Sequence, residues 1–139
     1  MLERDLIHKF MEELTKIEPN CWRVKIHGQP FQTRGIPDVL ICYKGLFIGV
    51  EFKIVRQGKM NVTPYQQYTL EKIHKAGGFP VIVWFNLKSN RYGVIKESFK
   101  TIKETVKYFC NTAEKLSANV GIDFSECAPT PCSVSVPKE

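Results

Sequence analysis

Long apolar runs, paired cysteine spacings and internal repeats are all missing from this chain. No stretch approaches the roughly 18 consecutive apolar residues of a membrane-spanning helix. The first residues alternate charged with apolar side chains, unlike a signal peptide, so the expectation is a cytosolic protein. The five cysteines (Cys21, Cys42, Cys110, Cys127, Cys132) are odd in number and irregularly spaced, with no Cys-x-x-Cys pair and no close histidine. Neither a disulfide framework nor a zinc site is suggested. Cys21, Cys42 and Cys110 fall in apolar patterns and read as small core residues in a reducing compartment. Acid is the scarcer charge, 14 Asp and Glu against 20 Lys and Arg, for a net charge of +6. That balance favours polyanionic partners, although proteins that bind nothing acidic also carry it. A length of 139 residues at 43% hydrophobic content suffices for one domain with its own core.

Apolar side chains at Leu2, Leu6, Ile7, Phe10, Met11, Leu14 and Ile17 predict an amphipathic helix over 2–17, closed by Pro19 and Asn20. Residues 21–27 read as a strand, and Gly28 to Gly35 as a polar, basic loop containing Arg34. After a hairpin, a second polar loop over 54–62 carries Arg56, Gln57, Gly58 and Lys59. Thr63-Pro64 opens a helix that runs to Ala76 and stops at Gly77-Gly78. Residues 79–86 read as a buried strand and Arg91 to Ile95 as a short edge strand. A third helix is predicted at 96–117, its stripe running through Ile95, Phe99, Ile102, Val106, Phe109, Ala113 and Leu116. That stripe must be covered by the chain's own sheet or by a second subunit. Its flank of Lys96, Lys100, Lys103 and Lys107 is either a phosphate track or a solvated face. The division is a core unit at 1–95, a helix at 96–117 and a proline-rich, mobile tail at 118–139.

The hairpin between the two loops carries the chemistry. If Lys44-Gly45 is a two-residue turn, Tyr43 pairs with Leu46, and the same register sets Asp38 opposite Glu51. One face then holds Val39, Ile41, Tyr43, Leu46, Ile48, Val50 and Phe52, all apolar. The other holds Asp38, Leu40, Cys42, Phe47, Gly49, Glu51 and Lys53, apolar near the turn and charged only at the far end. Directly opposed residues have Cβ atoms roughly 4.5–5.5 Å apart, where two carboxylates repel unless a cation lies between them. A hard divalent ion there, with Lys53 on the same face to touch phosphate and attacking water, would make a phosphodiester-cleaving site. The plainer alternative is a Lys53 salt bridge to Asp38 or Glu51 with no metal. Glu3 heads an inward-facing helical line, where it either faces the site or complements the helix dipole. Gln66 sits at the N3 position of a Thr63 capping box.

In order and spacing, Glu3-Arg4-Asp5-Leu6-Ile7, Arg34-Gly35-Ile36-Pro37-Asp38-Val39-Leu40, Gly49-Val50-Glu51-Phe52-Lys53, Thr63-Pro64-Tyr65-Gln66-Gln67 and Ala76-Gly77-Gly78-Phe79-Pro80-Val81 resemble the PD-(D/E)xK nuclease superfamily. The closest likeness is to the small VRR-NUC domains, and archaeal-type Holliday junction resolvases share the core motif. The resemblance implies an α/β, restriction-endonuclease-like fold, a mixed sheet flanked by helices. It implies that Asp38, Glu51 and the Phe52 backbone carbonyl bind Mg²⁺ or Mn²⁺, with Glu3 reaching the metal through water. Lys53 would act on water and phosphate, and Gln66 would help position them. Arg34, Arg56 and Lys59 are then the expected DNA contacts. The substrate class is branched or duplex DNA, four-way junctions being the most natural if the chain forms a homodimer. A non-catalytic nucleic-acid-binding module of the same fold is the alternative. An interaction domain working through the 96–117 helix and the tail is a third reading.

Overall fold

A computed structural model describes residues 1–28 and 32–118. The chain is α/β, in the order α1 (Glu3–Ile17), β1 (Trp22–Lys25), β2 (Val39–Tyr43), β3 (Leu46–Val55), α2 (Pro64–Lys75), β4 (Phe79–Asn86), β5 (Arg91–Val94), β6 (Glu97–Phe99) and α3 (Ile102–Ser117). The strands form one mixed sheet in sequential order β1-β2-β3-β4-β5-β6. Only β3 and β4 pair in parallel, which requires a crossover, and α2 supplies it.

The β2–β3 register is the expected one, from Tyr43↔Leu46 to Val39↔Val50. Lys44 and Gly45 both take positive φ, 48° and 84°, the backbone of a two-residue turn matched to strand twist. The apolar face of this hairpin lies against α1 and α3. Phe10 stands edge-on to Phe52 and to Phe109, each with ring centroids 5.2 Å apart. These three rings are among the largest fully buried side chains. Each contributes about 1.5–3 kcal/mol by burial, which makes this stack the anchor of the core.

Three expectations change, and one open alternative closes. Residues 96–101 are not helical: Glu97–Phe99 form β6, so β5 is interior rather than an edge, and α3 begins only after Thr101, whose Oγ1 accepts the Glu104 N–H at 3.2 Å. The turn before β6 is Ile95-Lys96, without the glycine or asparagine that usually marks such turns. Ile95 takes φ 56°, costly for a β-branched residue, and is held by its N–H to the Ile82 carbonyl (3.0 Å) and its carbonyl to the Trp84 indole (3.0 Å). Second, α3 is part of the core. Val106, Phe109, Cys110 and Ala113 are buried in the same cluster as the sheet, so no second subunit is needed to cover the stripe, while Leu116 and Ile95 are exposed.

Third, the site-bearing face of the hairpin is not buried along its length, because α2 covers only part of it. Phe47 is 43% exposed and Cys42 is exposed, not a core residue. Cys110 is one, and burial pushes its thiol up to about 12. Fourth, β1 spans Trp22–Lys25 and is shorter than the expected 21–27. The proposed tail from 119 onward, and residues 29–31 of the first basic loop, lie outside the described residues. Among the described residues no helix is long and apolar enough to cross a membrane.

Candidate active site

β3 outruns β2. Val39 pairs with Val50, and beyond that point β3 continues to Val55 without a strand on that side. The next hydrogen-bonding pair in the same register, one step past Asp38 with Glu51, would be Pro37 with Phe52. Proline has no N–H to donate, so the ladder stops. The Phe52 N–H instead donates to Asp38 Oδ2 at 2.8 Å. The N–H and C=O of one residue point to the same side of a strand, so the Phe52 carbonyl faces that open edge too. Its ring is fully buried on the opposite face, as expected. Pro37 is thus what ends the ladder and opens this edge, and the signal was the dipeptide Pro37-Asp38 itself.

Glu51 and Lys53, 2% and 7% exposed, lie on the Asp38 face. Lys53 Nζ donates to Gln66 Oε1 at 2.8 Å, and Gln66 Nε2 donates to Glu51 Oε1 at 2.9 Å. Gln66 also completes the α2 cap. Its Oε1 accepts the Thr63 N–H at 3.0 Å, and its own N–H donates to Thr63 Oγ1 at 3.2 Å. One Gln66 side chain therefore caps α2 and bonds both Glu51 and Lys53, because the helix start is what aims the amide. Among the described residues no ion pair within 4.0 Å joins Lys53 to Asp38 or Glu51, contrary to the simple salt-bridge reading.

The second Glu51 oxygen, Oε2, is buried with no hydrogen-bond donor. The Glu51 carboxyl is pushed up to about 8, chiefly by burial and then by the Asp38 charge, against the pull of Lys53. Hydrogen-bond contact with Asp38 and the charge of Glu3 raise it further. A buried carboxylate pair in this state calls for a proton or a cation between its oxygens. Two carboxylates and a backbone carbonyl suit an ion that keeps several waters, as Mg²⁺ does, so the residues present fit the group. No third acidic, histidine or cysteine side chain joins them among the described residues. Glu3 is exposed in the first turn of α1, and its charge acts on Glu51.

Glu3 lines an open cleft of about 1010 Å³ together with Arg4, Lys53, Arg56, Lys59 and Asn61. Arg56 and Lys59 exchange backbone hydrogen bonds (3.0 and 2.9 Å) across a tight turn in which Gln57 and Gly58 have φ 50° and 70°. The turn thereby fixes the backbone of both cations. Arg4 joins them unforeseen; its only signal was its place beside Glu3. Arg34 lies apart, in a separate recess of about 270 Å³ that also includes Asp38, with its guanidinium 5.4 Å from the centre of the Tyr65 ring. Gly35 has φ 84°, and any side chain there would run into the Tyr65 carbonyl. This close approach ties the Arg34 loop to the first turn of α2.

No family model and no curated protein matches the chain. Among solved structures, it is similar to Hjc, a Holliday junction resolvase from the archaeal hyperthermophile Archaeoglobus fulgidus. The TM-score is 0.51 at 12% identity, over 82% of this chain and 97% of that one. At that identity the two share a fold.

Proposed function

We propose that the chain is a divalent-metal-dependent endodeoxyribonuclease of the VRR-NUC kind, selective for branched DNA, acting in the cytoplasm of a bacterial or phage-infected cell. The observation that carries this reading is the donorless, buried Glu51 Oε2 beside Asp38, at a strand edge where Pro37 ends the ladder. The fold shared with a Holliday junction resolvase supports it. Asp38, Glu51 and the Phe52 carbonyl would hold Mg²⁺ or Mn²⁺, with Glu3 adding negative potential at the rim. When bound, such an ion supplies Lewis acidity, acidifying water and offsetting charge on phosphate.

The chain's own residues do the rest. Lys53, its Nζ anchored on Gln66 Oε1, presents ammonium protons to a phosphate oxygen as negative charge builds there. Gln66 fixes both Lys53 and Glu51, so neither swings when substrate arrives. Arg56 and Lys59 on one cleft wall, and Arg34 in the neighbouring recess, hold phosphates to either side of the reacting one.

The test is cleavage of a labelled panel of four-way junction, flap, splayed arm, single strand and duplex in Mg²⁺ and in Mn²⁺, with Asp38→Ala as control. The expected result is metal-dependent cutting of branched substrates above duplex, absent in the variant. Shifted mobility of every substrate with no cutting by the wild type would instead make the chain a binding module.

A further inference from the structure

Outside the cluster just described, α2 carries two of the most exposed aromatic side chains of the described chain. Tyr65 is 55% and Tyr68 61% exposed. Three residues apart on a helix, they are neighbours on one surface, about 4.5 Å apart along the axis. Each ring has its own cation. The Arg34 guanidinium is 5.4 Å from the Tyr65 centroid, and Lys72 Nζ is 5.4 Å from that of Tyr68. The acid on this helix, Glu71, accepts a hydrogen bond from Gln67 at 3.0 Å. Leu70 is the buried residue of α2, so the tyrosines are not needed to hold the helix down.

Two connections lead from these rings to the candidate site. Tyr65 immediately precedes Gln66, which bonds Glu51 and Lys53. Arg34 lies four positions before Asp38 in a loop that passes close against the Tyr65 carbonyl at Gly35. We propose that Arg34, Tyr65, Tyr68 and Lys72 form a track along α2 for an unpaired DNA strand leading away from the Asp38–Glu51 pair. Exposed rings gain from bases whose faces are free, which a stacked duplex does not offer. The paired cations match the phosphates of such a strand. The substrate class is therefore DNA with a single-stranded arm beside the reacting phosphate. This inference rests on the nuclease reading for its site, but its binding arm can be tested without cleavage.

Affinities for a fluorescein-labelled splayed arm and for a blunt duplex of the same length would be measured by anisotropy in EDTA, on wild type, the Tyr65→Ala/Tyr68→Ala double variant and the Tyr65→Phe/Tyr68→Phe double variant. The alanine protein should lose about tenfold or more on the splayed arm, the range of losing stacking on one or two bases, and far less on the duplex. The phenylalanine protein should bind like wild type, because it keeps the rings. Equal losses on both substrates, no loss, or no rescue by phenylalanine would overturn the track. Splayed-arm binding that depends on the tyrosines, with every substrate left uncut in Mg²⁺, supports the track and overturns the nuclease reading. Junction cutting by wild type with arm binding indifferent to the tyrosines does the reverse.

Discussion

The two ends of the β2–β3 hairpin each bring carboxylates together, with opposite outcomes. At the turn, the Tyr43 hydroxyl is 2.6 Å from Glu114 Oε2 and 3.0 Å from Glu18 Oε1, and Lys44 Nζ reaches both Glu114 oxygens at 2.7 and 2.8 Å. Lys44 and Tyr43 hold the Glu114 carboxyl below its ordinary value. Burial and the two acids push the Tyr43 hydroxyl up. That cluster is satisfied by the chain itself. At the far end Asp38 takes the Phe52 N–H and Glu51 one Gln66 proton, yet Oε2 finds no donor and the carboxyl rises to about 8. Clustered acid alone is thus a poor guide to function; a carboxylate pair that its own protein leaves short of positive charge is a better one.

The largest expected effect separates the two ends by activity. Asp38→Asn and Glu51→Gln should collapse junction cleavage by taking a ligand from the ion, and Lys53→Ala should lower it by about 10²-fold or more, as loss of a transition-state charge donor does in other enzymes, whereas Glu114→Gln should cut like wild type. Equal losses at both ends, measured on one labelled junction, would dissolve the distinction. Next comes metal linkage. Saturating Mg²⁺ or Ca²⁺ should raise the melting temperature, since an ion at 100 times its dissociation constant stabilises by about 2.7 kcal/mol. Glu51→Gln should abolish that shift and Glu114→Gln should keep it.

Protonation offers a third comparison. Folded Glu51 holds its proton up to about pH 8 against an ordinary value of 4.5, so in chelator its contribution to stability is whole below pH 4.5 and is lost as pH rises towards 8. Glu114, with its carboxyl lowered, contributes above its unfolded value and loses that contribution as pH falls through the folded one. Urea melts in EDTA should show wild type losing ground to Glu51→Gln as pH rises from 4.5 to 8. Flat, parallel curves would mean that Glu51 titrates normally. The smallest effect is Tyr43→Phe, which removes the hydroxyl between Glu18 and Glu114 and should cost about 1 kcal/mol with cleavage unchanged.

The hairpin end of this comparison was legible in the sequence because a two-residue turn and strict alternation leave one register, and that register fixes which side chains share a face. The charged end was legible as a location, but the bond of Asp38 to the Phe52 N–H, the triple use of Gln66 and the empty-handed Glu51 Oε2 depend on atoms that spacing does not place. β6 escaped because Phe99 falls in helical phase with Ile102 and Val106, while Ile95 turns the chain without glycine. Cys42 was misjudged for a different reason: strand alternation gives a residue's face but not whether a helix covers it, and α2 stops short of the hairpin tip. The tyrosines of α2 carried no periodic signal, since a solvent-facing ring and a core ring look alike in sequence.

The two tryptophans also divide between exposed edge and candidate site. Trp22 is 59% exposed on the edge strand β1. Trp84 lies flat over Gly93, donates its indole N–H to the Ile95 carbonyl at 3.0 Å and stands beside Lys53 in the parallel register of β3 and β4. In fluorescence, Trp22 should emit to the red and be quenched readily by iodide, while Trp84 should emit to the blue and respond to charge moving near Lys53. Trp22→Phe would leave a single tryptophan, which can be excited apart from the tyrosines, giving the protein an optical record of DNA or metal arriving without any added label.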